Sequence, residues 1–216
     1  MWSKYPPNTT LKVRACAYLA ALLGLGLAFT VQAGTEEKFA KFRSSAEPVG
    51  SLSGFLEKYV GACGPGSPPR CESSASAFRR QMNGRRFFLA TGDESSSLLS
   101  VGRFDEAKRE YELKLTPFFA AGTYALTQGA PRQTDAAGNP LLPLLVVRGK
   151  APDGFSPSRL QRLVSARELR IELVFTPQEL WALTRKRGGR IQGVKSRIEA
   201  VQVVSARTGE VLASWP

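Results

Sequence analysis

The chain has 216 residues, with 30 basic residues, 18 acidic residues and no histidine. Catalytic triads, Cys-His pairs, His-based metalloprotease motifs and nearly every catalytic zinc site need an imidazole, so the sequence excludes all of these. A Ser-x-x-Lys motif, a P-loop, a nucleophile elbow and an Asp-rich calcium loop are also missing from the sequence. We therefore predict no catalytic residue, no metal ligand and no cofactor.

Residues 1–33 have the pattern of a secretory signal peptide. Three basic residues and no acid precede an apolar run over residues 15–31, and the small residue Ala33 follows that run. A membrane-spanning helix needs about 20 apolar residues, so this run is short for a permanent anchor, with an uncleaved anchor as the alternative. No later stretch is long and apolar enough to span a bilayer. We expect cleavage after Ala33 and a soluble mature protein in the periplasm or the extracellular space.

The mature chain is long enough for one domain with a real core. We expect residues 34–48 to be a polar lead-in, loosely ordered or weakly helical, and residues 49–216 to form a single domain. Without the leader, 27 basic residues stand against 18 acidic ones, which gives a net charge of +9. Such a charge favours anionic envelope partners such as lipid head groups, lipopolysaccharide or acidic glycans, or serves solubility alone.

Two cysteines remain after cleavage, Cys63 and Cys71, and they flank a loop rich in glycine and proline. In an oxidising compartment a close, even pair is most simply a disulfide. Closing a loop of about nine residues would contribute roughly 2.5 kcal/mol in the chain-entropy model. A redox pair would need two intervening residues, and a zinc site would need further ligands. The sequence thus favours a structural disulfide.

Two helices are predicted at the start of the domain. Apolar residues recur at helical spacing from Leu52 to Val60, with Ser51 as the cap and Gly61 as the end. A second helix is predicted over residues 72–82, where Asn83-Gly84 stops it. Further along the chain, residues 158–166 fit either a short helix or the start of a long strand.

Strands dominate the rest of the chain. Alternating or continuous apolar residues predict strands at 86–91, 98–104, 110–115, 141–148 and 168–175, and a closing hairpin of 198–206 with 211–215. The predicted fold class is therefore α+β: two N-terminal helices followed by a mostly antiparallel sheet with short inserted helices.

One inserted helix is predicted to begin at Thr176-Pro177 and to end at Gly188-Gly189. Threonine would be the cap, proline would take the first helical position, and Glu179 would reach back to the cap. Residues 111–117 and 171–177 match at Glu, Leu, Thr and Pro, so both copies predict the order strand, helix, strand. An ancient duplication and a coincidence of helix-start residues both explain this match.

Paired carboxylates can hydrolyse glycosides without histidine. Asp93-Glu94 and Asp105-Glu106 fall in predicted turns, where we interpret them as solvated turn residues. Glu112 and Glu172 occupy matching places in the two similar segments. Alternation places both on the face opposite the apolar one, which favours pairing with lysine or arginine.

A basic segment near the C-terminus is the candidate binding site. It has six basic residues and no acid, namely Arg185, Lys186, Arg187, Arg190, Lys195 and Arg197. Cations at a helix C-terminus would explain the first three of these residues structurally. No aromatic residues alternate with the basic ones, so specific nucleic acid binding is not expected. Arg79-Arg80 and Arg85-Arg86 would extend the patch only if the fold brings them near.

From Phe87 to Leu212, the strand pattern, residues 168–177 (ELRIELVFTP) and residues 203–212 (VVSARTGEVL) resemble a family of small exported bacterial proteins of unknown function. The resemblance implies secretion and a compact α+β domain, and it transfers no site residues. We therefore expect a secreted, non-enzymatic binding or structural protein of the cell envelope that contacts anionic partners through its basic segment. A carboxylate-based hydrolase and a carrier of an apolar ligand are the alternatives.

Overall fold

The computed structural model of the chain describes residues 29–61, 69–91, 98–116, 118–121, 124–130, 144–151, 154–184 and 190–215. The chain divides into two units, Met1–Glu37 and Lys38–Pro216, and the second unit contains the whole sheet. No helix within the described ranges is long and apolar enough to cross a membrane. The predicted signal peptide lies outside these ranges up to residue 28, and its cleavage stays a prediction.

The described residues form four helices and ten strands. The helices are α1 (Phe29–Ser44), α2 (Leu52–Val60), α3 (Pro69–Met82) and α4 (Pro157–Ser165). The strands are β1 (Glu47–Pro48), β2 (Phe87–Ala90), β3 (Leu99–Asp105), β4 (Glu110–Leu115), β5 (Phe118–Ala121), β6 (Tyr124–Thr127), β7 (Leu145–Lys150), β8 (Leu169–Thr184), β9 (Arg190–Ser205) and β10 (Val211–Trp215). The predicted α+β class is confirmed, but three helices rather than two precede the main strands.

Local sequence signals predict both ends of α2 and the end of α3 correctly. The Gly54 amide donates to Ser51 Oγ at 3.2 Å, so Ser51 caps α2, and Gly61 ends the helix with φ at 77°. Helix α3 ends at Met82 as predicted and begins at Pro69, earlier than predicted. The ambiguous segment 158–166 is helical, because Ser156 caps α4 and Pro157 follows it.

The strands form one sheet in the order β1-β2-β8-β9-β10-β7-β4-β3, and β6 joins β9 and β5 beside this path. Among the described strands, all pairs are antiparallel except β1–β2 and β6–β9. Strands β8 and β9 are 16 residues each and form the central hairpin. The last part of β9 pairs with β10, and its first part pairs with β6.

One face of the sheet, called here the inner face, carries the main core. Ile171, Leu173 and Phe175 of β8 point to it, and Tyr111 and Leu113 of β4 are buried there. Helices α2 and α3 supply aromatic side chains to the same core. The ring of Phe55 contacts those of Tyr59, Phe78, Phe87 and Phe175, with centroids 5.2–6.0 Å apart. Aromatic side chains therefore pack the part of the inner face that α2 and α3 cover.

The opposite face of the sheet, called here the outer face, is covered in part by the C-terminal half of α1. Phe39 is buried against Val174 and Ala200. The Glu47 amide donates to the Arg86 carbonyl at 2.9 Å, which ties β1 to the start of β2. Of the two expectations for residues 34–48, the helix is confirmed as far as Ser44. Loose order is wrong, because apolar contacts and backbone bonds fix this segment.

The predicted helix from Thr176 is also wrong, because this segment continues as strand β8 to Thr184. Strand β2 begins opposite Phe175 and does not pair with later residues of β8. Strand β9 is therefore the described neighbour of this part of β8. Proline is tolerated in such an edge segment, and it stands here beside a bulge between Pro177 and Glu179. The capping signature is present, but pairing with β9 overrides it.

The two similar segments do not continue into helices within the described ranges. After Thr116 the described chain forms β5, which pairs with β6 as a hairpin, and after Thr176 it remains in β8. The predicted order strand, helix, strand is wrong because both Thr-Pro pairs lead into strands.

The remaining strands lie close to their predicted positions. Strands β2, β3 and β4 and the hairpin of β9 with β10 are confirmed. Strand β7 begins at Leu145, and residues 141–143 lie outside the described ranges. Strand β9 begins at Arg190, earlier than predicted, because its first half pairs with the extended end of β8.

Candidate functional site

A surface concavity of about 420 Å³ lies beside the bulge of β8. We call it the bulge concavity, and its lining residues are Asn83, Gly84, Thr176, Pro177, Gln178, Glu179 and Arg197. Its volume falls in the range of small-ligand sites, roughly 300–1,000 Å³. All of these residues except Pro177 are polar or glycine, so the lining suits a polar ligand better than an apolar one.

Three local features create the bulge concavity. Strand β2 pairs with β8 only as far as Phe175, so no described strand pairs with that edge of β8 beyond this residue. The bulge then adds the extra residue Gln178 opposite Lys195 and Ser196. The turn from α3 to β2 runs through Asn83 and Gly84, and glycine allows the φ of 74° found there. The site thus combines segments far apart in the sequence.

The Glu199 carboxylate contacts the side chains of Arg197 and Arg86 beside the bulge concavity. Arg197 donates to Glu199 Oε1 from Nε at 3.0 Å and from Nη2 at 2.6 Å. Thr176 Oγ1 donates to the same oxygen at 2.8 Å, and Arg86 Nε lies 3.7 Å from it. The fold therefore brings Arg86 and Arg197 to one carboxylate although they are far apart in the sequence.

This environment lowers the pKa of Glu199. Burial alone would raise the pKa, but the hydrogen bonds from Arg197 and Thr176, with the charges of Arg197 and Arg86, outweigh it. The Glu199 side chain is 9% exposed, whereas that of Arg197 is 61% exposed. Glu199 is thus an ionised anchor, and Arg197 presents the rest of its guanidinium to solvent.

A second ion pair borders the bulge concavity. Lys195 Nζ lies 2.5 Å from Glu179 Oε1, and both side chains are partly exposed. The local charges are three positive, from Arg86, Lys195 and Arg197, and two negative, from Glu179 and Glu199. The local net charge is therefore about +1, a small part of the chain's total excess.

The structure separates the residues of the predicted basic patch. Lys195 and Arg197 lie on the outer face, beside the bulge concavity. Arg190 is exposed, and strand alternation places it on the opposite face, because β9 runs without an extra residue from Arg190 to Arg197. Residues 185–187 lie outside the described ranges. Arg86 joins Arg197 instead, which sequence reasoning could not determine without the pairing of β2 with β8.

Of the carboxylates weighed for catalysis, Glu112 and Glu172 are ion-paired as expected. Glu112 lies 3.4 Å from Arg148 on the neighbouring strand. Glu172 lies 2.7 Å from Arg170 and 3.6 Å from Arg43 of α1. Asp105 contributes to a second concavity, of about 210 Å³, at the end of the β3–β4 hairpin. Residues 93–94 lie outside the described ranges.

The metal and disulfide predictions concern the cysteines and the acidic side chains. Among the described residues, no group of three or more potential ligand side chains could hold a metal ion. Cys63 lies outside the described ranges. The Cys63–Cys71 disulfide therefore stays a prediction.

Comparison with known proteins identifies a family but no activity. No curated protein and no solved structure matches the chain. Residues 87–212 were predicted to resemble a family without a known function. A match to such a family over a longer range confirms this prediction. The sequence profile of the family of unknown function DUF6066 matches residues 13–216, and the chain belongs to this family.

Proposed function

We propose that the protein is an exported, non-enzymatic binding protein that contacts anionic components of the cell envelope at the bulge concavity. The observation that carries this proposal is the position of Arg197, which lines the concavity beside Arg86. Arginine carries five N–H donors in a planar fork that suits carboxylate and phosphate groups. The predicted signal peptide supports the location in the envelope.

Arg197 retains donors for a ligand. Its Nε–H and one Nη2–H bond to Glu199, and among the described residues no further hydrogen bond uses its other three N–H groups. Glu199 also fixes the guanidinium in one orientation, which reduces the entropy lost on binding. The concavity thus offers a pre-oriented cation to an external anion.

The carboxylate chemistry supports binding rather than hydrolysis. A general acid in a glycosidase needs a raised pKa. The pKa of Glu199 is shifted in the opposite direction by its arginine partners. Glu199 is therefore suited to hold a cation and not to donate a proton.

The test is a double variant, Arg86→Gln with Arg197→Gln, titrated against phosphatidylglycerol vesicles and against dextran sulfate. We expect its affinity to fall by more than tenfold, which corresponds to about 1.4 kcal/mol or more. Binding by the parent should weaken as salt rises, because exposed charges are screened beyond about 8 Å at physiological ionic strength.

The matched control is Arg162→Gln with Arg167→Gln, which removes the same charge from α4 and the turn after it. Both residues are exposed, and α4 packs near β3 at the far edge of the sheet. If the control loses as much affinity as the test variant, only the net charge matters and the proposal fails. Adding Glu199→Gln to the test variant removes the unpaired carboxylate, should the double variant not fold.

A further inference from the structure

We propose that the bulge concavity is selective for an acidic saccharide, with Arg197 on the acidic group and the amides of Asn83 and Gln178 on the hydroxyl groups. This inference rests on the proposed function and names the class of ligand. The chemistry of the lining residues supports it.

The concavity offers paired donors and acceptors on several sides. A carboxamide has two N–H donors and a carbonyl acceptor, and a carboxylate accepts only. Asn83 and Gln178 supply two carboxamides and Glu179 supplies a carboxylate. A ligand with many hydroxyl groups can satisfy all three, since a hydroxyl both donates and accepts.

The two amide side chains are available to a ligand. Asn83 and Gln178 are exposed, and none of the hydrogen bonds found among the described residues uses either side-chain amide. Two main-chain groups of these residues form hydrogen bonds: the Gln178 carbonyl accepts from Tyr59 Oη at 3.4 Å, and the Asn83 amide donates to the Arg79 carbonyl at 2.9 Å. Their side-chain amides therefore have no hydrogen bond to lose within the described structure.

The charge balance limits the ligand to few anionic groups at this site. Lys195 is held by Glu179, and the guanidinium of Arg197 offers its remaining N–H groups to solvent. One acidic group for each concavity fits this arrangement, with neutral hydroxyl groups around it. A uronic acid unit has this composition, one carboxylate with several hydroxyl groups.

The lining also distinguishes a saccharide from a lipid. Among the described lining residues, Pro177 is the single apolar side chain, so an acyl chain would find little apolar surface. None of these residues is aromatic either, so a single sugar should bind weakly and a longer acidic chain better, by repeated contact. The membrane surface is then the competing outcome of the test.

The experiment compares four probes by isothermal titration with the mature protein. They are oligogalacturonate, its neutral methyl ester, phosphatidylglycerol vesicles and phosphatidylcholine vesicles. We expect oligogalacturonate to bind at least about tenfold more tightly than its ester, because the ester offers no charge to Arg197. The variant Asn83→Ala with Gln178→Ala should lose at least about fivefold in affinity for oligogalacturonate, because each lost amide removes hydrogen bonds to the hydroxyl groups. The control Gln81→Ala with Gln161→Ala, also at exposed positions, should bind as the parent does.

The results separate this inference from the proposed function. Vesicle binding that depends on Arg197, without oligogalacturonate binding, would overturn the saccharide inference and leave the proposed function standing. Equal affinity of the parent and of the variant Asn83→Ala with Gln178→Ala for oligogalacturonate would also overturn the inference. If no anionic probe binds the parent, both proposals fail.

Discussion

At the scale of single residues, the carboxylate of Glu199 determines how the cations of the candidate site are presented. It accepts bonds from Arg197 and Thr176 and lies near Arg86, while its own side chain is nearly buried. Removing Glu199 would leave Arg197 and Arg86 without their counter-charge, and this costs more free energy than the hydrogen bonds themselves contribute. Glu199 should therefore matter for stability as well as for binding.

We predict that Glu199→Gln lowers the free energy of unfolding by about 1–3 kcal/mol at pH 7, because it removes hydrogen bonds to a charged acceptor. The lowered pKa of Glu199 fixes the pH dependence. The contribution of Glu199 is fully present above its ordinary pKa of 4.5, and it is lost as the pH falls through the lower pKa of the folded protein. Urea unfolding of parent and variant between about pH 7 and pH 3 measures this difference.

The exposed turn residue Glu106 provides the control. Glu106→Gln should change the free energy of unfolding by at most about 0.5 kcal/mol. A stability difference between parent and Glu199→Gln that stays constant down to about pH 3 would contradict the ionised, arginine-paired state of Glu199.

At the scale of elements, the bulge in β8 decides which face its second half presents. Ile171, Leu173 and Phe175 point to the inner face, and without a bulge the same alternation would carry Trp181 there. The bulge shifts the alternation by one residue, so Trp181 instead packs on the outer side with Ala125 and Ile191. Trp181 Nε1 also donates to Thr127 Oγ1 at 2.9 Å.

We predict that deleting Gln178 destabilises the protein strongly. The deletion removes the extra residue of the bulge, so the side chains of Glu179 to Thr184 must change face or lose their pairing with β9. Losing the packing of Trp181 alone should cost about 3–5 kcal/mol. Thermal and urea unfolding measure the effect.

The control keeps the backbone of the bulge and removes only the side chain. Gln178→Ala should change stability by at most about 0.5 kcal/mol, because the side chain is exposed. Equal stability of the deletion variant and of Gln178→Ala would show that the bulge does not set the register of β8.

The same element shows what can be predicted from the sequence and what cannot. Local patterns are sufficient for α2, whose cap and end lie within or beside the helix itself, and for β4, whose alternation is regular. The segment after Phe175 carries a helix-start signature, but pairing with the 16-residue strand β9 overrides it. A bulge is defined by its partner strand, so the sequence of β8 alone cannot reveal it.

The candidate site depends even more on non-local pairing. Charge alone identifies Lys195 and Arg197, but it also groups Arg190 with them, because the sequence does not predict a strand that starts at Arg190. In the sequence, Asn83 and Gly84 predict only the end of a helix. They reach the concavity because the antiparallel register of Phe87 with Phe175 places the start of β2 beside the bulge.

At the scale of the whole molecule, the net charge of the chain and the bulge concavity have different roles in binding. The mature chain would carry a net charge of +9, whereas the groups around the bulge concavity carry about +1. A large net charge accelerates the approach of any polyanion, and this effect weakens with salt. Selective capture must instead come from oriented donors, of which Arg197 is the best placed among the described residues.

Selective capture at the bulge concavity is tested most directly by nuclear magnetic resonance titration of the isotopically labelled mature protein with oligogalacturonate at physiological salt. We predict that the largest shifts occur at the Nε–H group of Arg197, at the backbone amide of Gly84 and at the side-chain amides of Asn83 and Gln178. These groups surround one concavity, so their shifts should follow a single binding curve. Shifts spread evenly over exposed arginines, with none at Gly84 and Gln178, would contradict selective binding at this site.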